Sequence, residues 1–293
     1  MRFCDLDSKL KTGRVPLAIC MPEDVEAVLA AREASDLGYV DCIFVGNPAI
    51  MNPLLEREAP GFTPRIVEAL TPEAAAASTV ELVRTGQAKA LMKGTISTPV
   101  LLKAILHSEN GIKMSPVLSH VLVFEWNGSF RFLTDGGMVP HPTLPEKQEI
   151  MLNAVHLAKR LGTPEPKVAV LSAAETVNFK MPSSVDAAVL AKMSDRKQFK
   201  GCTVDGPLAL DNAISLESAH HKGLFNDIVG QADVLVVPDI DTGNILGKTM
   251  IYFAGMQTGG LIVGATAPVI LLSRSDTKDI RMNSIKLALA AGF

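Results

Sequence analysis

Short apolar runs alternate with amphipathic segments along most of the chain. The runs are typical of strands buried on both faces. In the segments between them, apolar residues recur with the period of a helix, and proline or a hydroxyl-bearing residue stands at the start. We predict strands at residues 15–20, 40–45, 88–92, 167–171, 201–204, 234–237 and 268–272. We predict helices at about 22–36, 71–84, 146–160, 183–193, 210–220 and 276–289. Strands that alternate with helices indicate an α/β fold with mostly parallel sheets.

One segment interrupts this alternation. Residues 118–135 are centred on Asn127-Gly128, a pair that favours the tight turn of a β-hairpin. Prolines at positions 140, 142 and 145 then lead into the next helix, and we place a domain border there. The predicted domains are residues 1–143 with 266–293, and residues 144–265.

Composition narrows the classes of function. The chain has 293 residues, of which 47% are hydrophobic and 20% charged, with a formal net charge of −3. This balance predicts a well-buried protein that does not bind nucleic acid. The N-terminus lacks the apolar core of a signal peptide, and no apolar stretch is long enough to span a membrane, so we expect a cytoplasmic protein. The cysteines are scattered and the histidines lack metal-binding spacing, so we expect no bound metal.

Hydroxyl, guanidinium and carboxylate groups follow the last predicted strand. Ser273 and Arg274 come directly after it, and Asp276 and Asp279 lie at the start of the next helix. Ligands of open α/β sheets bind at the carboxyl ends of strands, beside helix N-termini that attract anions. A purely structural role is equally consistent with the pattern, with Ser275 or Asp276 capping the helix and Asp279 acting as the acid of a capping box.

A second polar loop follows the strand at 88–92. It contains one lysine, one glycine that permits close approach of the backbone, and three hydroxyl side chains at a helix start: Lys93, Gly94, Thr95, Ser97 and Thr98. This combination favours phosphate binding. The alternative is that Ser97 or Thr98 only caps the helix and that Lys93 is only solvated.

Three common signatures of nucleotide or nucleophile sites are absent from the sequence. Residues 243–249, GNILGKT, approach a P-loop, but their glycines are one residue too close for that motif, which argues against ATP binding. No GxGxxG follows the first strand, and the chain contains no GxSxG motif.

Five blocks of sequence together resemble the phosphate acetyltransferase and phosphate butyryltransferase family, and the middle blocks are closer to the butyryl branch. They are LMKGTIST at 91–98, LSAAETVNFKMPSSVDAA at 171–188, VDGPLALDNAIS at 204–215, PDIDTGNILGK at 238–248 and LLSRSDTKDI at 271–280. The resemblance implies two α/β domains that flank a cleft, as in the isocitrate/isopropylmalate dehydrogenase-like fold. It also implies a homodimer.

The same resemblance implies reversible transfer of a short-chain acyl group, butyryl or acetyl, between CoA and inorganic phosphate. CoA is then a substrate, and no cofactor is bound. The family's catalytic aspartate falls on Asp279, but the loop is one residue shorter than in the acetyl branch, so Asp276 remains a rival base. Arg274 would stabilise the thiolate or the developing carbonyl charge, and Ser273 would hydrogen-bond the same centre. Asn244 and Lys248, with the 93–98 loop, would hold phosphate.

Two functions of other classes remain open on sequence grounds. A dehydrogenase with a divalent metal would use the carboxylates at strand ends, which are Asp205, Asp211, Asp239 and Asp241. A non-catalytic protein that binds CoA or acyl phosphate would retain the same loops with a misplaced base.

Overall fold

The computed structural model describes residues 1–10, 13–271 and 276–292. The chain forms two compact units. We call Arg2–Ser115 with Gly259–Phe293 the flanking unit, and Pro116–Thr258 with Met1 the central unit. In the described part of the chain, no helix is both long and apolar enough to cross a membrane. Both units are α/β, and the predicted class is confirmed.

The flanking unit contains a sheet in which β1, β2, β3, β4 and β11 run parallel and β10 pairs antiparallel with β11. Its strands, numbered in chain order through the whole protein, are β1 (Val15–Cys20), β2 (Val40–Gly46), β3 (Arg65–Glu68), β4 (Ala90–Lys93), β10 (Thr258–Val263) and β11 (Val269–Ile270). Its helices are α1 (Phe3–Leu10), α2 (Val25–Asp36), α3 (Pro48–Glu58), α4 (Pro72–Arg84), α5 (Thr98–Ile105) and α11 (Lys278–Ala291).

The central unit contains the predicted hairpin and a parallel sheet. Its strands are β5 (Ser119–Trp126), β6 (Ser129–Thr134), β7 (Lys167–Leu171), β8 (Thr203–Leu208) and β9 (Val234–Val236). β5 and β6 pair antiparallel around Asn127 and Gly128, whose φ angles of 49° and 77° confirm the predicted turn. β9 then lies between β6 and β7, with parallel pairing on both sides. The helices are α6 (Leu144–Arg160), α7 (Pro182–Asp195), α8 (Leu210–Ile214), α9 (Leu216–His221) and α10 (Ile240–Tyr252).

Several element boundaries differ from the sequence prediction for local reasons. α2 begins at Val25 rather than near Pro22, because the Asp24 carboxylate accepts a hydrogen bond from the Ala27 N–H at 2.6 Å and caps the helix. The predicted helix at 210–220 is two short helices, because Ser215 ends one and caps the next. α3, a helix that contains Pro53, was not predicted from the sequence.

The border between the units also differs from the prediction. Residues 116–143 belong to the central unit, where β6 pairs with β9, whereas the sequence prediction grouped them with the first domain.

Packing in the flanking unit fixes the helix that carries Asp279. A Cβ on Gly259 in β10 would lie 2.8 Å from Leu287 Cδ1 of α11, so the glycine permits close approach of helix and sheet. On the other side of α11, Lys286 donates to Asp7 of α1 at 2.6 Å, and the Tyr39 hydroxyl donates to the same carboxylate at 3.0 Å. Burial, with the Asp7 charge beside it, raises the pKa of Tyr39 to about 12. The second half of α11 is therefore packed against β10 on one side and paired with α1 on the other.

Candidate active site

Two of the predicted loops leave the same edge of the flanking sheet side by side. β4 is hydrogen-bonded to β1 on one side and to β11 on the other, with Cys20 opposite Lys93 and Ile270 opposite Met92. Loop 93–98 therefore begins beside the point where the chain leaves β11 at Leu271. Ser273 and Arg274 lie just beyond that point, outside the described residues. The parallel register thus places the start of loop 93–98 beside Leu271, at a carboxyl edge of the kind where α/β ligands bind.

Gly94 is required by the crossing of two loops at this edge. A Cβ at Gly94 would overlap the backbone of Met21, which follows β1. The Gly94 N–H donates to the Cys20 carbonyl at 2.8 Å, and the Thr95 N–H and hydroxyl donate to the Met21 carbonyl at 2.8 and 3.1 Å. The glycine and Thr95 therefore hold the loop against the end of β1, which is a structural role in addition to any contact with a ligand.

The start of α5 offers groups suited to an anion. Ser97 is the N-cap residue by backbone position, but its exposed side chain makes no capping hydrogen bond, and Thr98 is half-buried in the first turn. The half-buried Lys93 ammonium donates to the Gly94 carbonyl at 3.1 Å, which keeps its charge at the loop. First-turn N–H groups, hydroxyls and an ammonium group together suit a phosphate oxygen. The purely structural alternative of a Ser97 side-chain cap is wrong.

Glu23 and Asn47 also lie at this carboxyl edge, although the sequence prediction did not include them. The Asn47 N–H donates to Glu23 Oε1 at 3.2 Å, which ties the loop after β2 to the loop after β1. Asn47 also caps α3 by accepting from the Ala49 N–H at 3.0 Å. The available signal was a polar residue directly after an apolar run, the same rule that identified Lys93.

The two candidate bases have different positions at the start of α11. Thr277 is the cap, and its hydroxyl accepts from the Ile280 N–H at 3.3 Å. The prediction that Asp276 caps the helix is therefore wrong, and Ser275 lies outside the described residues. Asp279 occupies the second helical position rather than the third, so it does not form a capping box. Its side chain is exposed in the first turn, where the helix dipole favours a carboxylate, while Asp276 is half-buried before the cap.

Asn244 and Lys248 lie on a helix of the central unit rather than in a phosphate-binding loop. Residues 243–249 fall within α10, which is capped by Asp239 through the Thr242 N–H at 2.9 Å and hydroxyl at 2.7 Å. The glycines serve packing, because a Cβ on Gly243 would lie 2.5 Å from the Asp135 carbonyl oxygen. Asn244 donates to the Gly136 carbonyl at 3.1 Å, and Lys248 is exposed one turn later on the same helix face.

Asp135 organises the loop that follows β6. Its buried carboxylate accepts four backbone N–H groups, from His120 at 3.2 Å, Gly137 at 2.8 Å, Met138 at 3.1 Å and Val139 at 3.1 Å. Burial raises the pKa of the Asp135 carboxyl, while these donors and the His120 charge act in the opposite direction. This residue was not predicted, although an aspartate followed by two glycines at a strand end was a usable signal.

The carboxylates required by the dehydrogenase alternative are engaged in separate contacts. Asp205 accepts from the Asn226 amide at 2.6 Å, Asp211 pairs with Lys222 at 3.3 Å, and Asp239 caps α10. Lys222 also binds Glu175 at 2.6 Å, and this hydrogen bond lowers the pKa of the Glu175 carboxyl. Among residues 1–10, 13–271 and 276–292, no three His, Cys, Asp or Glu side chains are grouped closely enough to hold a metal ion.

Comparison with known proteins identifies close relatives across nearly the whole chain. A family model described as phosphate acetyl/butaryl transferase matches residues 49–289. A phosphate butyryltransferase of Clostridium acetobutylicum is 42% identical over 295 residues, which cover 99% of this chain and 98% of that protein. A phosphate acetyltransferase of Rhizobium meliloti is 37% identical over 273 residues, covering 92% of this chain and 86% of that protein. The crystal structure of a branched-chain phosphotransacylase from Enterococcus faecalis is 37% identical, with a TM-score of 0.83 over 94% of this chain and 98% of that one.

Replacing Asp135 with asparagine should loosen the loop after β6. An amide at the Oδ2 position would place N–H donors against the Val139 N–H, leaving that group without its acceptor. A buried group that loses its partner costs about 1–3 kcal/mol of unfolding free energy, and we expect a loss of that size in urea unfolding followed by circular dichroism. Asp195→Asn is the control, because Asp195 is exposed at the end of α7. Equal stability of the two variants would contradict the assigned role.

Proposed function

The chain belongs to the phosphate acetyl/butaryl transferase family, and we propose that it transfers a short-chain acyl group reversibly between CoA and inorganic phosphate, with butyryl preferred over acetyl. The match to a phosphate butyryltransferase at 42% identity over 99% of the chain carries this proposal. The identity to an acetyltransferase is lower, at 37% over 92% of the chain, which supports the butyryl preference. CoA acts as a substrate in this reaction, and no further cofactor takes part.

The proposed chemistry starts with deprotonation of CoA. A thiol with a pKa of about 8.5 is mostly protonated at neutral pH, so attack on an acyl phosphate needs a base beside the sulfur. Asp279 takes the proton, the sulfur electron pair forms the C–S bond, and the C–O bond to phosphate breaks. Arg274 and Ser273 stabilise the charge that develops on the carbonyl oxygen. The exposed position of Asp279 in the first turn of α11 supports its choice over the half-buried Asp276.

Phosphate is held without covalent chemistry in this proposal. Lys93, Ser97 and Thr98 supply an ammonium group, an uncapped helix start and hydroxyls at one loop. Gly94 and Thr95 keep that loop against the end of β1. Within the central unit, Asn244 and Lys248 are retained as proposed phosphate ligands, supported by their place on one exposed face of α10.

We further propose that the protein is a cytoplasmic homodimer. CoA is a metabolite of the cytoplasm, which supports the location. The central unit exposes three large apolar side chains on or beside α10, with Ile245 67%, Tyr252 62% and Phe253 90% exposed. Clustered exposed apolar side chains are typical of contact surfaces, and a second copy of the chain is the proposed occupant. The isocitrate/isopropylmalate dehydrogenase-like fold remains a proposal.

Turnover with a series of acyl phosphates tests the function and the chain-length preference together. We expect CoA-dependent thioester formation with acetyl, propionyl and butyryl phosphate, measured by thioester absorbance. One methylene changes discrimination by about 10- to 200-fold, so kcat/KM for butyryl phosphate should exceed that for acetyl phosphate by at least about 10-fold. Turnover that favours acetyl phosphate would contradict the preference, and the absence of turnover with all three would contradict the function.

Replacing Asp279 with asparagine should remove the base without changing the size of the side chain. General base catalysis contributes about 100- to 10,000-fold, so kcat should fall by about 100-fold or more. Asp276→Asn, three residues earlier, is the matched control and should retain kcat within a few-fold. If the control variant loses activity and Asp279→Asn keeps it, Asp276 is the base.

Replacing Tyr252 and Phe253 with glutamate should convert the dimer into a monomer. Two charges placed at an apolar contact would remain unpaired on burial, which opposes association. Sedimentation velocity should give the mass of two chains for the wild type and one for this variant. Leu29→Glu is the control, because Leu29 is an exposed apolar residue on α2 of the flanking unit. A wild-type protein that sediments as one chain, or a variant that remains dimeric, would exclude the proposed surface.

A further inference from the structure

A cavity of about 650 Å³ lies at the edge of the flanking sheet opposite the candidate active site. Arg14 immediately precedes β1, and Asp41 and Arg65 lie at the starts of β2 and β3, so the cavity opens where these strands begin. β1 has six residues, and at about 3.3 Å per residue it separates the two edges by about 20 Å. The volume of the cavity is in the range of small-molecule binding sites. A ligand bound here would not reach the loops at the carboxyl edge.

Three guanidinium groups line the cavity, each from a different element. Arg14 comes from the loop before β1, Arg32 from α2 and Arg65 from β3. With Asp36 and Asp41, the lining has three positive and two negative side chains, a net charge of +1 in a chain whose net charge is −3. One guanidinium group can donate two parallel hydrogen bonds to two oxygens of a phosphate group. The three arginines therefore favour binding of an anion that carries phosphate.

The side chains that these arginines now contact compete only weakly with such an anion for the guanidinium groups. Arg14 lies 3.4 Å from the Asp41 carboxylate, and Arg32 lies 3.4 Å from that of Asp36. Both aspartates are more than half exposed, at 61% and 68%. Arg65 donates to the neutral Gln87 amide oxygen, from both terminal nitrogens at 3.2 Å. Long, exposed ion pairs contribute little, so a phosphate group can displace them.

The rest of the lining suits the other parts of a nucleotide. Phe62, which is half-buried, lines the cavity together with Pro60 and Pro64, and these residues offer apolar surface for a planar base. The two aspartates are acceptors, and ribose hydroxyls are the donors that such carboxylates bind in nucleotide sites. We propose that this cavity is a binding site for a nucleoside diphosphate, with Arg14, Arg32 and Arg65 on the phosphates.

Titration calorimetry with ADP tests the site in the intact protein. Wild type should bind ADP, and the double variant Arg14→Gln, Arg65→Gln should bind it at least about 10-fold more weakly, because each lost charge-assisted pair weakens phosphate binding. Arg65→Gln alone, which removes the two hydrogen bonds to Gln87, should also weaken binding. The control is Arg57→Gln, because Arg57 is an exposed arginine of α3 that pairs with Glu58 and does not line the cavity.

Acyl-transfer kinetics distinguish this site from the CoA site, since CoA also contains an adenosine diphosphate group. In both cavity variants, kcat and the KM for CoA should remain at the wild-type values, which also reports that they are folded. The proposal is overturned if wild type does not bind ADP, if the variants bind it as well as wild type does, or if the loss of ADP affinity is accompanied by an equal rise in the KM for CoA.

Discussion

The parallel pairing of β4 with β1 and β11 is the constraint on which the candidate site depends. Parallel strands have their carboxyl ends at the same edge, so the loops after all three leave the flanking sheet together. The crossing of Gly94 with Met21 then fixes loop 93–98, since no side chain fits between the two backbones. Glu23 adds a hydrogen bond to the loop after β2. Backbone geometry at one edge thus places the strand end that carries the Lys93 ammonium group beside the point where the chain leaves β11 at Leu271.

In the central unit, a different interaction holds the loop at the carboxyl end of a strand. There a buried aspartate, rather than a glycine crossing, holds the loop after β6, because the Asp135 carboxylate satisfies four backbone N–H groups. The glycines of α10 let that helix pack against this loop, and Asn244 adds a direct hydrogen bond to Gly136. A motif that looks like a nucleotide loop in the sequence is therefore a closely packed helix.

Charge is distributed unevenly over a chain with a small net charge of −3. At the carboxyl edge of the flanking sheet, cationic and hydroxyl groups accompany carboxylates, as acyl transfer to an anionic acceptor requires. At the opposite edge, three arginines surround a cavity with only loose carboxylate partners. Because parallel strands separate their two ends by the length of the strand, one sheet can present two chemically distinct anion sites that do not overlap.

Local pattern determined the α/β class, β1 and β7 at their observed limits, the Asn127-Gly128 turn and the loops that follow strands, because burial and turn geometry act on neighbouring residues. Five sequence blocks also sufficed to indicate the family. Only the structure showed that Thr277 rather than Asp276 caps α11 and that residues 243–249 are helical, because the local sequence was compatible with more than one arrangement. Tertiary contacts decided that Gly243 packs against the loop after β6 and that His120 donates to Asp135 from 15 residues away. The arginine cavity also depends on tertiary contacts, because its cations lie far apart in the sequence and meet only where the starts of β1 and β3 approach the C-terminal part of α2.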